Sequence, residues 1–195
     1  MPYVIADLSP SLDGFIAGEG VSVERPFGGA ELALYRWHGL EGEDREEADR
    51  RLSETHLDDA GAIVLGRTMF EVGIGPWGPD GAFRRPCFVV THRPESDVVR
   101  GPTTFTFVPD LADALDRAAT AAGDKAVMVV GGAALVRQAL AAGRVDELRL
   151  HIAPLLLGAG PSIFAGDGDL GGTRLELIDV TPTSTALHVR YSVLR

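Results

Sequence analysis

The sequence predicts one α/β domain on a mixed sheet, mainly parallel early in the chain and antiparallel at its C-terminal edge. Three observations carry this. Short, nearly continuous apolar runs at Tyr3–Leu8, Ala62–Leu65, Cys87–Val90 and Ala126–Val130 are bounded by turn residues, as strands covered on both faces are. From Leu148 onward apolar and polar residues alternate instead, which is the period of half-exposed strands. The 195 residues contain no repeat, low-complexity segment or Pro/Gly/Ser-rich linker, so a single domain over 1–195 is expected.

The elements follow in order. Tyr3–Leu8 is the first strand, and Ala17 to Gly42 reads as loop with a short helix around Glu31–Trp37. Glu41 to Asp59 holds nine acidic residues and three arginines, a net −6 of the chain's −10. Ala48, Leu52, His56 and Ala60 recur every four residues there, giving one face to bury and leaving the acidic side to water. Ala62–Leu65 is a strand running into a helical turn through Phe70, and Cys87–Val90 is the next. Asp110 caps a helix carrying Leu111, Ala114, Leu115, Ala118 and Ala122, and Gly123 ends it. Ala126–Val130 leads through Gly131-Gly132 into a helix from Ala133 to Ala142, closed by Gly143. Leu148 to Ile152, Leu175 to Leu177 and Leu187 to Val193 are the alternating strands. The order is β-α-β-α-β-β-α-β-α-β-β-β.

Composition excludes several functions. With 18 Lys plus Arg against 28 Asp plus Glu, a general nucleic-acid surface is not expected. Cys87 is the only cysteine; it forms no internal disulfide and reads as core. Five scattered histidines offer no zinc spacing, so no metal site is expected. No G-x-S-x-G elbow is present. No apolar run approaches the ~20 residues of a membrane span, and Met1-Pro2-Tyr3 begins no export signal. A cytoplasmic domain is the expectation.

In open α/β sheets ligands bind beyond the carboxyl ends of the strands. There the chain places Gly66-Arg67-Thr68, then Thr91-His92-Arg93 closed by Pro94, then Gly131-Gly132 before a helix start. Glycines for close approach, free helix amides and arginines on one edge suit a pyrophosphate, and a further arginine with hydroxyls suits a 2′-phosphate. Ala133 and Ala134 follow the glycine pair, so the G-x-G-x-x-G fingerprint is absent. Asp13, in Ser11-Leu12-Asp13-Gly14, either orders a turn or touches substrate. Trp77, in Pro76-Trp77-Gly78-Pro79, is either a wall for a planar substrate or a packing anchor. His151 and His188 fall on the polar side of their strands and read as surface or dimer-interface residues.

Ser11-Leu12-Asp13-Gly14-Phe15-Ile16-Ala17, Val64 to Glu71 (V-L-G-R-T-M-F-E) and Val129-Val130-Gly131-Gly132 together resemble the dihydrofolate reductase-like superfamily. The stretch Val145 to Gly158 is most similar to the reductase half of the riboflavin-pathway deaminase–reductase. The resemblance covers essentially the whole chain. It implies a three-layer sandwich with an eight-stranded mixed sheet, NADPH as hydride donor, a small heterocyclic substrate and a homodimer. By position, Gly66, Arg67 and Thr68 would meet the adenosine-side phosphates, and Thr91, His92 and Arg93 the 2′-phosphate. Gly131, Gly132, Ala133 and Ala134 would cradle the pyrophosphate, and Ala6 with Ile16 would border the nicotinamide. Folate reductases carry a carboxylate on the helix before the Gly-Arg-Thr strand, and Asp49 matches it best; its alternative reading is a solvated helix carboxylate. The proton would come from solvent or from a nearby acid, with Asp13 or Asp49 as candidates, and Asp13 and Trp77 are the candidate substrate contacts. Two departures stand out: Pro86-Cys87 is followed by Phe88-Val89-Val90, so no deaminase zinc signature is present, and Val130 stands where riboflavin reductases place Glu. The rival reading is an NADP(H)-binding or interaction protein on the same fold, without turnover.

Overall fold

Strands β1 (Val4–Leu8), β2 (Ala60–Gly66), β3 (Pro86–Val90), β4 (Val98–Arg100), β5 (Thr103–Val108), β6 (Ala126–Val129), β7 (Glu147–Ile152), β8 (Arg174–Pro182) and β9 (Leu187–Leu194) form one sheet. The structure, a computed structural model, describes all residues but Met1, Glu41, Glu43, Pro94, Asp167 and Arg195, and the side chain of Glu31. The expected closure of the Thr91-His92-Arg93 loop by Pro94, and the head of the acidic run at Glu41, therefore lie outside the described residues.

The sheet order is β4-β5-β3-β2-β6-β1-β7-β9-β8. The six strands from β5 to β7 are mutually parallel. β9 runs antiparallel to β7 and pairs antiparallel with β8, as the C-terminal alternation implies. The sheet has nine strands, not eight. Two strands have no residues assigned to them by the sequence reading: β5, present only in the predicted order, and β4, which is three residues long, pairs antiparallel with β5 and is too short to show an alternation.

Successive residues of the central strands point to opposite, equally covered faces, which is why those runs are continuously apolar. On one face Val4, Ala6, Leu8, Val64, Val127 and Val129 pack under helices α3 (Leu111–Ala122) and α4 (Ala133–Ala141). On the other, Ile5, Ile63, Leu65, Cys87, Val89 and Met128 pack with Phe70 of α2 (Arg67–Gly73) and with Phe83 and Phe105. Helix α1 (Glu47–Thr55) and a 3-10 segment, Glu31–His38, lie on this second face over β7 and β9. Asp110 caps α3 by accepting from the Asp113 amide at 2.9 Å, as expected.

β9 is not the edge. β8 lies outside it and is exposed along almost its whole length. A register shift at Ile178 reverses its inside–outside parity, so Leu175 and Leu177 before it share a face with Val180 after it.

Candidate functional site

A cleft of about 350 Å³ opens at the carboxyl ends of β2, β3, β5 and β6. Gly66, Arg67 and Thr68, Thr91 and His92, and Gly132 and Ala134 all line it, so the three strand-end loops converge. Parallel register makes this happen, since Gly66 sits opposite Val90. The Gly66 amide donates to the Gly131 carbonyl at 2.7 Å, and the Thr91 amide donates to the Val108 carbonyl at 2.8 Å.

The glycine pair is a close-packed cradle. Gly131 has φ +131°, and a Cβ there would lie 3.3 Å from the Met69 sulfur; a Cβ on Gly66 would lie 3.3 Å from the Gly132 nitrogen. Gly132 is the N-cap of α4 and supplies no side-chain cap, which leaves the amides at Ala133 and Ala134 to an anion. Ile16 Cδ1 lies 4.0 Å from a Cβ built on Gly132, so the loop after β1 reaches the cradle. Ala6 is fully buried in β1 and does not line the cleft. Val90, Pro109, Asp110, Leu111, Leu135 and Gln138 complete the cleft; sequence reading gives Asp110 to capping and Leu111 to packing, and assigns no role to Leu135 or Gln138.

The arginines are already paired. Arg67 Nε meets Glu71 Oε1 at 2.8 Å, its terminal nitrogen bonds Glu95, and Arg93 lies 3.3 Å from the same Glu71 oxygen. The Arg67 guanidinium also sits over the Phe107 ring, 5.3 Å from its centroid. The Arg67–Glu71 pair has the i,i+4 spacing of helix neighbours, but nothing in the local sequence signals Glu95, which comes from a different loop.

Asp13 is a clamp. It accepts from the Ser11 hydroxyl and from the amides of Leu157 at 3.1 Å and Gly158 at 2.8 Å. The Ser11 hydroxyl, followed by those amides, holds its carboxyl below the ordinary value. The two motifs Ser11–Ala17 and Ala153–Gly158 are thereby stitched together.

Trp77 stacks on Phe105 at 5.9 Å and meets Phe83 edge-on at 5.0 Å. β5, which carries Phe105, is four strands from β1, or roughly 19 Å at ~4.8 Å per strand. The structure gives Trp77 packing contacts and does not bring it beside Asp13 or Asp49.

Asp49 is not solvated; its exposure is 0%. It accepts from Thr183, Thr185 and His188 Nε2, each at 2.9 Å. Burial raises its carboxyl, but hydrogen bonds from His188, Thr185 and Thr183 outweigh this and hold it below the ordinary value. His188 Nδ1 lies 2.6 Å from His151 Nδ1, and His151 Nε2 lies 3.3 Å from Asp7 Oδ1. An Asp49–His188–His151–Asp7 chain results. His151 and His188 are buried rather than at the surface. They face each other across the β7–β9 pairing on the side that Trp37 covers, its ring 4.1 Å from that of His151. Alternation identified a polar face, but not that a distant Trp would roof it.

The sequence profile of the RibD C-terminal domain family matches residues 2–189. The chain belongs to the RibD C-terminal domain family. No curated protein matches it in sequence. Among solved structures, this RibD C-terminal domain is similar to a proposed riboflavin biosynthesis protein from Shewanella sp. PV-4 (TM-score 0.72, 18% identity, 100% of both chains). It is also similar to a pyrimidine reductase-like protein from Corynebacterium diphtheriae (0.61, 20%, 100% of this chain and 92% of that one). A dihydrofolate reductase from Enterococcus faecalis, solved with NADP(H), matches at 0.63 and 15% identity over 99% and 97%. The α/β fold is therefore that of the dihydrofolate reductases.

Proposed function

We propose that this RibD C-terminal domain is an NADPH-dependent reductase. Its substrate would be a small C=N or C=O compound, a pterin- or pyrimidine-like heterocycle or its sugar conjugate, with 5-amino-6-(5-phosphoribosylamino)uracil reduction as the family's model chemistry. One observation carries the reading. The three glycine- and arginine-bearing loops meet in a single cleft, around a glycine cradle that a Cβ would crowd.

NADPH, when bound, supplies the hydride. Gly131, Gly132 and the α4 amides at Ala133 and Ala134 hold the pyrophosphate. Gly66, Arg67 and Thr68 hold the adenosine-side phosphates, while Thr91, His92 and Arg93 surround the 2′-phosphate. The Ala6 backbone and Ile16 border the nicotinamide end. Asp13 and Asp49 spend their oxygens on the loop clamp and on His188, so Asp13 orders the loop, Asp49 orients His188, and the proton comes from solvent. Trp77 stiffens the wall at β5 rather than contacting substrate. Partners are the small-molecule substrate and a second copy of the chain.

That commitment of both acids favours one second reading, NADP(H) binding without turnover. Calorimetric titration with NADPH, followed by NADPH oxidation assays over pterins and aminopyrimidines, separates the two. Binding with oxidation supports the reductase, and binding with no oxidation on any compound supports the rival. Absence of binding removes both.

A further inference from the structure

We propose that a second cleft, on the α1 face of the sheet, binds a small planar organic cation bearing paired N–H donors, an amidinium or guanidinium. This cleft shares no lining residue with the glycine cradle, and the proposal stands whether or not the chain is a reductase.

The cleft encloses about 330 Å³ between β1, β7, β8 and β9 and the C-terminal half of α1. On its floor two buried atoms, Asp7 Oδ2 and His151 Nε2, have no hydrogen-bond partner among the described residues. Asp7 is 9% exposed and His151 5%. The 3.3 Å approach of His151 Nε2 to the other Asp7 oxygen is an ion-pair distance that meets no hydrogen-bond criterion. A buried carboxylate oxygen in a folded protein ordinarily has a donor. One water would occupy only ~30 Å³, a small part of this space.

Charge selects the sign of the occupant. Four carboxylates, Asp7, Asp58, Asp59 and Asp179, line the cleft against two guanidiniums, Arg149 and Arg190. Both arginines bond Glu147 Oε1 through Nε at 2.7 Å, and Arg149 also holds Asp59 at 2.7 Å. The remaining field is negative and focuses cations. Burial raises the Asp7 carboxyl, but His151, His56 and Arg149 outweigh it and keep it ionised. The rings of His56 and His188, with Leu52 and Val189, give flat walls that suit a planar group.

Benzamidinium and benzoate have nearly the same size and shape with opposite charge, so they are the probes. Calorimetry on the full chain is expected to show benzamidinium binding and no benzoate binding. Asp7→Asn is expected to weaken benzamidinium by about tenfold or more, the scale of a charge-assisted hydrogen bond, and to leave the NADPH titration unchanged. Should Asp7→Asn fail to fold, imidazole NMR of the native protein replaces it. Benzamidinium should then move the His151 and His188 resonances and leave His92, in the other cleft, in place. Benzoate binding as tightly as benzamidinium, no benzamidinium binding at about millimolar concentration, an undiminished affinity in Asp7→Asn, or a shift confined to His92 would each overturn the proposal.

Discussion

Arg67 illustrates how much a single residue's neighbours decide. Its guanidinium is held by Glu71 and Glu95 over two aromatic rings, so an incoming adenosine-side phosphate competes with carboxylates already in place. We expect NADPH to bind more tightly than NADH, Arg93→Ala to erase much of the difference, and Arg67→Ala to weaken NADPH binding. Each charge-assisted bond is worth roughly 1.5–3 kcal/mol, on the order of tenfold to a hundredfold. Glu95→Gln should strengthen NADPH binding several-fold by releasing Arg67. Calorimetry checks all three variants, and equal affinities for the two cofactors in the native chain would refute the assignment. Asp49 makes the complementary point for stability. Asp49→Ala leaves His188 and Thr185 without this acceptor in a fully buried site, while Thr183 keeps the Ala186 carbonyl, at a cost of about 3 kcal/mol. Urea unfolding measures this; a loss under about 0.5 kcal/mol would place the carboxylate outside the buried network.

At the scale of elements, the turn from β6 into α4 concentrates the constraints. Gly131 combines φ +131° with Met69 at 3.3 Å from the position of a Cβ. Gly131→Ala should cost about 1–3 kcal/mol from backbone strain and weaken NADPH binding, whereas Gly143→Ala, in open space at φ +62°, should affect stability alone. Paired thermal melts and NADPH titrations distinguish the two. Val130 precedes the pair; its amide donates to the Val64 carbonyl at 3.1 Å and its side chain packs against the cluster containing Ile5 and Met128. With an apolar group there, turnover on the ribosylaminopyrimidine of riboflavin synthesis should fall below about 1 per second, and the same holds for dihydrofolate. Val130→Glu should raise the former, since a buried polar partner for substrate sets selectivity. Steady-state NADPH oxidation tests it, and fast turnover by the native chain on either compound would contradict it. The short β4 and the Ile178 bulge escaped sequence reading at this scale, because each is defined by its pairing partner rather than by a period of its own.

For the whole molecule, acid lability follows from buried ionisable groups. Asp7, Asp49 and Glu147 are held below their ordinary values of 3.8, 3.8 and 4.5. Burial raises each, and their histidine, threonine or arginine partners outweigh it. Their contribution is complete above those values and is lost as pH falls through the lower folded ones. His38, His56 and His188 are pushed below 6.5 chiefly by burial, His38 to about 3. Below about 6.5 the unfolded chain takes up protons that the folded one refuses, so stability falls there too. Melting temperature should decline from about pH 6.5 downward and more steeply below about 4; a rise between pH 7 and 5 would refute this. The outer strand β8 presents Leu177 at 56%, Val180 at 47% and Ile178 at 45% exposure. An exposed apolar edge of this kind is commonly covered by a symmetry mate. Light scattering at micromolar concentration should give twice the 20.7 kDa chain mass, and a monomer mass would count against it.

By itself the sequence determined what depends on local backbone preference and periodicity. The central parallel strands, the capped α3, the antiparallel C-terminal edge and the glycines and arginines at strand ends were all legible, since helix and strand periods and turn residues act within a few positions. Alternation along β7 and β9 announced two unlike faces, but periodicity carries no information about what lies against a face. Only the tertiary structure decided that Trp37 roofs His151 and His188, that Asp49 turns inward to Thr183 and Thr185, and that Glu95 joins Glu71 on Arg67. Those contacts join residues as many as 151 positions apart, as between Trp37 and His188. Their energies depend on burial and on partners that the chain supplies only after it has folded.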